Sequence, residues 1–143
     1  MSNFSQFQEL TVHLSKLRKM SAKSQSELLK PYDISNRHAT YIIALSEDNG
    51  MTMKELSDTL CVDPANTTRV IATLTEKGYV VNDCKKPGCR KFKVFLTEKG
   101  NELASQIKEG IKNNTQKIFS VLTDEERETF WQLLLKVVKA NNE

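Results

Sequence analysis

The sequence is poor in the residues that build tight loops and catalytic turns. Its 143 residues include only five glycines, three prolines and three cysteines, and aromatic residues make up 7%. It contains no glycine-rich phosphate loop, no G-x-S-x-G and no H-E-x-x-H motif. We therefore predict that the chain is not an enzyme, with no catalytic residue and no cofactor.

Long hydrophobic runs are absent as well. No apolar stretch approaches the roughly 20 residues that a transmembrane helix needs, and the amino terminus lacks the hydrophobic core of a signal peptide. Hydrophobic residues make up 38% and charged residues 27%, with a formal net charge of +3. These values are typical of one soluble domain, and we expect a cytoplasmic protein with no membrane partner.

The central part of the sequence has the pattern of two short helices. Thr52 and Glu55 have the spacing of a capping box at the start of the first helix. Asp63 can cap the second helix, and Pro64 then occupies the first helical position, where its missing N–H costs nothing. Gly78 ends this second helix. Two helices joined by a tight turn predict a helix-turn-helix.

The outward face of the second helix decides whether this pair could read DNA. At 100° per residue, the side chains opposite its apolar stripe are small or form hydrogen bonds: Ala65, Thr68, Arg69, Ala72 and Thr73, with Asn66 at the edge. Side chains of these types can enter a major groove and reach base edges or phosphates. No acidic residue occurs on this face before Glu76, which favours contact with a polyanion.

A basic hairpin follows the helix pair. Val80 and Val81 are β-prone, and apolar residues alternate from Phe92 to Leu96 with the period of a strand. A Pro-Gly turn lies between the two segments, so we predict a two-stranded hairpin. Its cations, with no acid among them, are Lys85, Lys86, Arg90, Lys91 and Lys93. The pattern is typical of a wing that lies along the phosphate backbone or in the minor groove.

The order and spacing of these segments resembles the MarR family of winged-helix transcriptional regulators. The resemblance rests on four runs: MTMKELS from Met51, VDPANTTR from Val62, LTEKGYV from Leu74, and Arg90 followed by LTEKG from Leu96. It implies a homodimer that binds a palindromic operator in double-stranded DNA, as a repressor released by a small-molecule effector or an oxidant. It also matches Thr67, Thr68 and Arg69 to recognition-helix positions.

The wing carries a further match and one departure. Arg90 matches the wing-tip arginine of the family, but the acid usually found two residues earlier is replaced by Gly88, so its charge-assisted hydrogen bond is missing. The outward face of the second helix, the cations of the hairpin and the family resemblance together predict ten DNA-binding residues: Ala65, Asn66, Thr67, Thr68, Arg69, Thr73, Lys85, Lys86, Arg90 and Lys91.

Apolar seams on the terminal helices predict dimerisation. Phe4, Phe7, Leu10, Leu14 and Leu17 recur at three- and four-residue steps near the start. After the wing, Thr97 starts a long helix, and Thr123 and Glu126 have the spacing of a capping box at the start of a last helix. This last helix carries an apolar seam: Phe130, Leu133, Leu134, Val137 and Val138. An antiparallel pair within one subunit is the alternative that could bury such seams.

The fold prediction is therefore a mainly α protein with a small β wing. Residues 1–143 form a single MarR-like domain, in which 1–30 and 101–143 are dimerisation helices and 34–100 form a winged helix-turn-helix head.

Three cysteines, Cys61, Cys84 and Cys89, lack C-x-x-C spacing, so no four-ligand zinc site is indicated and we predict no metal. Cys84 and Cys89 flank the basic turn, where cations would lower a thiol pKa. One hypothesis is that oxidation of this pair reshapes the wing and weakens DNA binding. The alternative is two reduced, inert thiols.

A winged helix can also dock proteins without reading DNA, so a protein-interaction module or a redox-responsive thiol switch without specific readout stays the alternative function. The face formed by Thr68, Arg69 and Thr73 is small and polar, whereas interaction hot spots are aromatic or apolar. The face therefore favours DNA.

Overall fold

The structure, a computed structural model, describes residues 3–142, and the side chains from residue 5 onward; the predicted seam residue Phe4 lies outside the described side chains. Its helices are α1 (Asn3–Leu29), α2 (Asn36–Glu47), α3 (Met53–Leu60), α4 (Pro64–Glu76), α5 (Glu98–Ile118) and α6 (Asp124–Asn141), with short 3-10 turns at Lys30–Tyr32 and Phe119–Val121. The strands are β1 (Met51–Thr52), β2 (Val80–Asn82) and β3 (Lys93–Leu96). Of the described helices, none has the length and apolarity to cross a membrane.

The predicted fold class, mainly helical with a small β wing, is confirmed, and so is the predicted hairpin, whose strands β2 and β3 pair antiparallel; the sequence did not predict the third strand, β1. The sheet has three antiparallel strands in the order β1-β3-β2. β1 pairs Met51 with Val94 and Thr52 with Lys93, and β2 pairs Val80 with Leu96. A strand of two residues has no readable period, and its partner lies some forty residues away. Strand β1 could not be predicted from the sequence for that reason.

The start signals of α3 and α4 are confirmed. Thr52 Oγ1 accepts a hydrogen bond from the Glu55 N–H at 3.1 Å, and Glu55 Oε2 accepts one from the Thr52 N–H at 2.9 Å. Asp63 Oδ1 accepts from the Ala65 N–H at 2.7 Å. These bonds satisfy amides that have no partner within the helix, and they fix where each helix begins.

The core of the winged head surrounds α2. Ala39, Tyr41, Ile42 and Leu45 of this helix are buried, on more than one side of the cylinder. The other elements contribute fully buried side chains: Leu29, Leu56, Leu74, Val94, Leu103 and Ile107. Since α2 carries the central packing surface, α3, α4 and the sheet are positioned by their contacts with it.

The start of α5 is fixed to the end of the helix-turn-helix. The Thr97 N–H donates to Tyr79 O at 3.0 Å, and Thr97 Oγ1 donates to Gly78 O at 2.6 Å. At Gly100, an added Cβ would lie 2.1 Å from Tyr79 O, so only glycine fits there. We call this contact the α5 joint.

The chain divides into two compact units, Met1–Ile111 and Lys112–Glu143. In the second unit, α6 begins at the predicted capping box, with Glu126 N–H donating to Thr123 Oγ1 at 3.2 Å. The rings of Phe119 and Phe130 lie 5.2 Å apart. α6 has no buried residue. The dimerisation segments 1–30 and 101–143, and the single domain of 1–143, remain predictions.

Candidate nucleic-acid interface

The outward face of α4 is accessible. Ala65, Thr68 and Arg69 are exposed, whereas Asn66 and Thr73 are half-buried. The opposite face packs Val70, Ile71 and Leu74 into the core. Arg69 donates from Nη2 to Asn66 Oδ1 at 2.5 Å, so the amide holds the guanidinium in one place. This arrangement presents a restrained guanidinium among small side chains on one helix face.

Thr67 is the exception among the predicted DNA contacts. Its side chain is 0% exposed, and its Oγ1 lies 3.0 Å from Tyr41 OH and 2.8 Å from the donating Ser57 Oγ. A fully buried side chain cannot reach a base or a phosphate, so the prediction for this residue is wrong. The three hydroxyls instead link α2, α3 and α4 in the core. A buried hydroxyl needs such partners, and they come from elements distant in the sequence.

The wing cations are open to solvent. Lys85, Lys86, Arg90 and Lys91 are all exposed. Within residues 3–142, the ion pairs join Lys77 to Asp33, Lys108 to Glu47 and Arg127 to Asp124, and none involves the wing. These four positive charges are therefore available to an external anion.

An acidic residue that sequence analysis left out closes the base of the wing. Asp83 Oδ1 accepts from the Lys93 N–H at 2.7 Å, and the Asp83 N–H donates to Lys93 O at 3.1 Å. The carboxylate accepts a hydrogen bond from a backbone amide. Among the described residues, it forms no ion pair with the cations of the wing. At the tip, Gly88 adopts a φ of +79°, which a carboxylate-bearing residue rarely does.

A cleft of about 630 Å³ lies between the start of α3 and the wing. Its lining includes Lys54, Arg90, Lys91 and Lys93, with one carboxylate from Asp83. Lys54 and Lys93 were not among the ten predicted contacts. Lys54 lies outside the basic run of the hairpin, and only the fold brings it beside the wing. Four cations around one cleft favour binding of a phosphate backbone.

The structure brings Cys84 and Cys89 together. Each thiol donates to a backbone carbonyl, Cys84 Sγ to Lys86 O at 3.1 Å and Cys89 Sγ to Lys91 O at 3.3 Å. The neighbouring Cys84 thiol, followed by burial, raises the pKa of the Cys89 thiol. The expectation that nearby cations would lower this pKa is wrong for Cys89, because no cation contributes to the shift and the adjacent thiol is its main cause. Cys89 is accordingly a poor thiolate at neutral pH, although the pairing of the two thiols was not readable from their five-residue spacing.

Comparison with known proteins places this geometry among regulators. Residues 34–81 match the model of the MarR family. The chain is 29% identical over 103 residues to the HTH-type transcriptional regulator BilQ of Clostridioides difficile strain CD3, which covers 72% of this chain and 70% of BilQ.

Solved structures show the same likeness. A MarR transcriptional regulator from Methanosarcina mazei Go1 superposes with a TM-score of 0.78 at 26% identity, over 93% of this chain and 96% of that one. A cysteine-to-serine mutant of MarR from E. coli, complexed with operator DNA, superposes with a TM-score of 0.75 at 25% identity, over 96% of this chain and 99% of that one. Regulators of this kind are not enzymes, which confirms the prediction on activity.

Proposed function

We propose that this chain, a winged helix-turn-helix protein of the MarR family, is a sequence-specific DNA-binding repressor that acts in the cytoplasm as a homodimer on a palindromic operator. The observation that carries the proposal is the capped helix α4, whose small polar face stands outside the core next in sequence to an unpaired cationic wing. The helix supplies contacts to base edges, and the wing supplies contacts to phosphates.

Homodimerisation is supported by exposed apolar side chains on both terminal helices. On α1 they are Phe7, Leu10, Val12, Leu14 and Met20, and on α6 they are Phe130, Trp131, Leu133, Leu134, Val137 and Val138. Apolar surface of this extent marks interaction sites. Two heads on a twofold axis double the number of base contacts, each worth about 1 to 3 kcal/mol of discrimination.

We also propose how the protein is released from DNA. A groove of about 660 Å³ in the second unit is lined by Phe119, Phe130, Trp131 and Leu134, with Arg127 at its side, and could receive an apolar effector bearing a negative charge. The paired thiols of Cys84 and Cys89 supply the alternative route, by oxidation.

Selection of bound duplexes from a random pool tests the proposal most directly. A homodimer should enrich an inverted repeat with half-sites about 34 Å apart. Enrichment of single, unpaired sites would contradict the dimer, and no enrichment at all would contradict specific readout.

Salt titration and two substitutions then separate base contacts from phosphate contacts. If each subunit neutralises about four phosphates, log affinity should fall against log salt with a slope of about −7. Arg69→Ala should reduce binding to the selected site far more than to random DNA, whereas Lys86→Ala should weaken both about equally. Lys16→Ala, an exposed cation of α1, is the matched control and should change neither. A slope near zero would contradict the phosphate contacts.

A further inference from the structure

The first half of α4 is attached to the core by a single buried side chain. From Pro64 to Arg69, only Thr67 is buried, and the other buried residues of this helix come after Arg69. In helix-turn-helix proteins, the N-terminal residues of the second helix are the ones that contact base edges. The end of α4 that is proposed to read DNA is therefore the end with the least apolar contact to the core.

The hydroxyl of Thr67 belongs to a buried cluster that three helices form. Thr67 Oγ1 lies 3.0 Å from Tyr41 OH of α2, and it accepts a hydrogen bond from Ser57 Oγ of α3 at 2.8 Å. Ser57 Oγ also lies 3.0 Å from Met53 O, in the first turn of α3. All three side chains are at most 5% exposed. We call Tyr41, Ser57 and Thr67 the hydroxyl cluster.

Hydrogen bonds hold a helix end differently from apolar contacts. A hydrogen bond restrains direction as well as distance, whereas the hydrophobic effect has no preferred direction. In a buried site, a shift that breaks such a bond leaves a polar atom without a partner, so other positions of the helix are disfavoured. Groups that recognise a ligand have to be held within about 0.5 Å of their working positions by supporting contacts of this kind.

We propose that the hydroxyl cluster positions the N-terminal half of α4 for DNA readout, by setting the orientation in which this half presents Asn66, Thr68 and Arg69. The proposal rests on the proposed function, since it concerns the same helix face. Thr67 is then a positioning residue, which touches no base and acts through its neighbours in the helix. The cluster should govern discrimination between DNA sequences and leave the phosphate contacts of the wing unchanged.

Two substitutions at Thr67 separate the role of its hydroxyl from that of its methyl group. Thr67→Val keeps the shape and loses the hydroxyl, and it should reduce the ratio of affinities for the selected site and for random duplex at least about tenfold, the order of one lost base contact. Thr67→Ser keeps the hydroxyl and should keep the ratio of the unsubstituted chain. Affinity for random duplex and its salt slope should be equal in all three proteins, because the wing is unchanged.

A second variant and a matched control complete the binding experiment. Tyr41→Phe removes one partner of Thr67 and leaves the bond from Ser57, so it should lower the ratio in the same direction by less. Thr75→Val is the control, because the Thr75 hydroxyl donates to Ile71 O of its own helix at 2.7 Å rather than to another element. This control should keep the ratio. Circular dichroism should show every variant folded.

The binding experiment has clear contrary outcomes. The proposal is overturned if Thr67→Val and Tyr41→Phe both discriminate as the unsubstituted chain does. It is also overturned if Thr67→Ser loses as much discrimination as Thr67→Val, since the methyl group would then be what matters. A loss in Thr75→Val of the same size would assign the effect to α4 in general and overturn the role of the cluster.

Amide hydrogen exchange in the free protein tests the positioning without DNA. Thr67→Val should raise exchange at residues 66–69 about tenfold relative to residues 71–75, because one bond that holds this end is lost, and Thr67→Ser should not. An equal rise along the whole of α4 would indicate lost global stability only and would overturn the positioning role. If the unsubstituted chain prefers no duplex, the proposed function fails, while the exchange result still decides whether the cluster positions the helix.

Discussion

Helices α3 and α6 begin in the same way and end up in different environments. Both start with a threonine whose hydroxyl accepts from the N–H three residues on, at 3.1 Å from Thr52 and 3.2 Å from Thr123, and with a glutamate that returns the bond at 2.9 Å. Yet α3 buries Leu56 and Ser57, whereas α6 has no buried residue. A start signal is local and satisfies orphan amides wherever the helix lies. Burial depends on which other elements pack against the helix.

Helices α3 and α6 therefore differ in what stabilises them. α3 and α4 pack onto α2 within their own chain, so their apolar residues contribute to the folding of the head. The apolar residues of α6 lie on the surface and can be covered by another chain. Substitutions in the head should therefore change the free energy of unfolding, and substitutions on α6 should change association.

The largest effect should come from placing charge in the α6 seam. Leu133→Glu combined with Val137→Glu, both exposed at more than half of their surface, should convert the proposed homodimer to monomers and weaken binding to the selected DNA site at least about a hundredfold, since two linked modules exceed either alone by 10² to 10⁴. Sedimentation and gel shift measure the two effects. Gln132→Glu adds one negative charge beside the seam and should leave both association and DNA binding unchanged. A dimeric double variant would place the interface elsewhere.

Truncation in the head should come next. Leu74 is 0% exposed in α4, and Leu74→Ala should lower the free energy of unfolding by about 2 to 5 kcal/mol through lost burial and a cavity. Leu133→Ala in α6 should cost less than about 0.5 kcal/mol when measured on dilute monomer. Urea denaturation followed by circular dichroism compares them. Equal costs would mean that α6 packs within its own chain.

Removing the caps should have a smaller effect that differs between the two helices. Thr52→Ala and Thr123→Ala each remove one capping bond, worth about 1 kcal/mol. We expect the first to lower the global free energy of unfolding, and the second to raise amide exchange in the first turn of α6 without a comparable global loss. Thr52→Ser and Thr123→Ser keep the hydroxyl and should restore the original values. A global loss from Thr123→Ala equal to that from Thr52→Ala would remove the distinction.

The smallest effect concerns a third capping box, at the start of α2, where histidine replaces glutamate. His38 Nδ1 accepts from the Ser35 N–H at 3.2 Å, and burial, with help from Lys77 and Arg37, lowers the His38 pKa below its ordinary 6.5. The unfolded chain therefore takes up a proton first. Stability should fall as pH drops through about 6.5 and level off once the folded state is also protonated.

Urea denaturation between about pH 5 and 8 measures this dependence. His38→Gln keeps an acceptor at the third helical position and removes the titration, so its profile should be flatter. His13→Gln on α1 is the control and should keep the original profile. A His38→Gln profile as steep as the original would assign the dependence to another group.

The parts of the fold that local chemistry determines could be predicted from the sequence. The caps at Thr52, Asp63 and Thr123 and the inward face of α4 follow from residue type and a 3.6-residue period, and each is present. Strand β1 was missed because two residues have no period and its pairing is non-local. Helical spacing alone gave the outward face of α4 correctly.

The errors at the candidate site have one physical origin. Thr67 carries a side chain that suits either DNA or a buried hydroxyl network, and only the positions of Tyr41 and Ser57 decide between the two. Cys89 was judged from its charged sequence neighbours, whereas the contact that governs its pKa is with Cys84 across the turn. Both outcomes depend on contacts that the linear sequence does not display.

Gly100 at the α5 joint limits which substitutions the winged head can accept. Because any side chain at Gly100 would overlap Tyr79 O, a saturation library at this position should return glycine alone. No atom obstructs the wing turn in this way, so it should accept insertions, although the φ of +79° at Gly88 disfavours a side chain at that one position. Sequences derived from this one can therefore acquire new wing tips, and with them new responses, while the α5 joint stays unchanged.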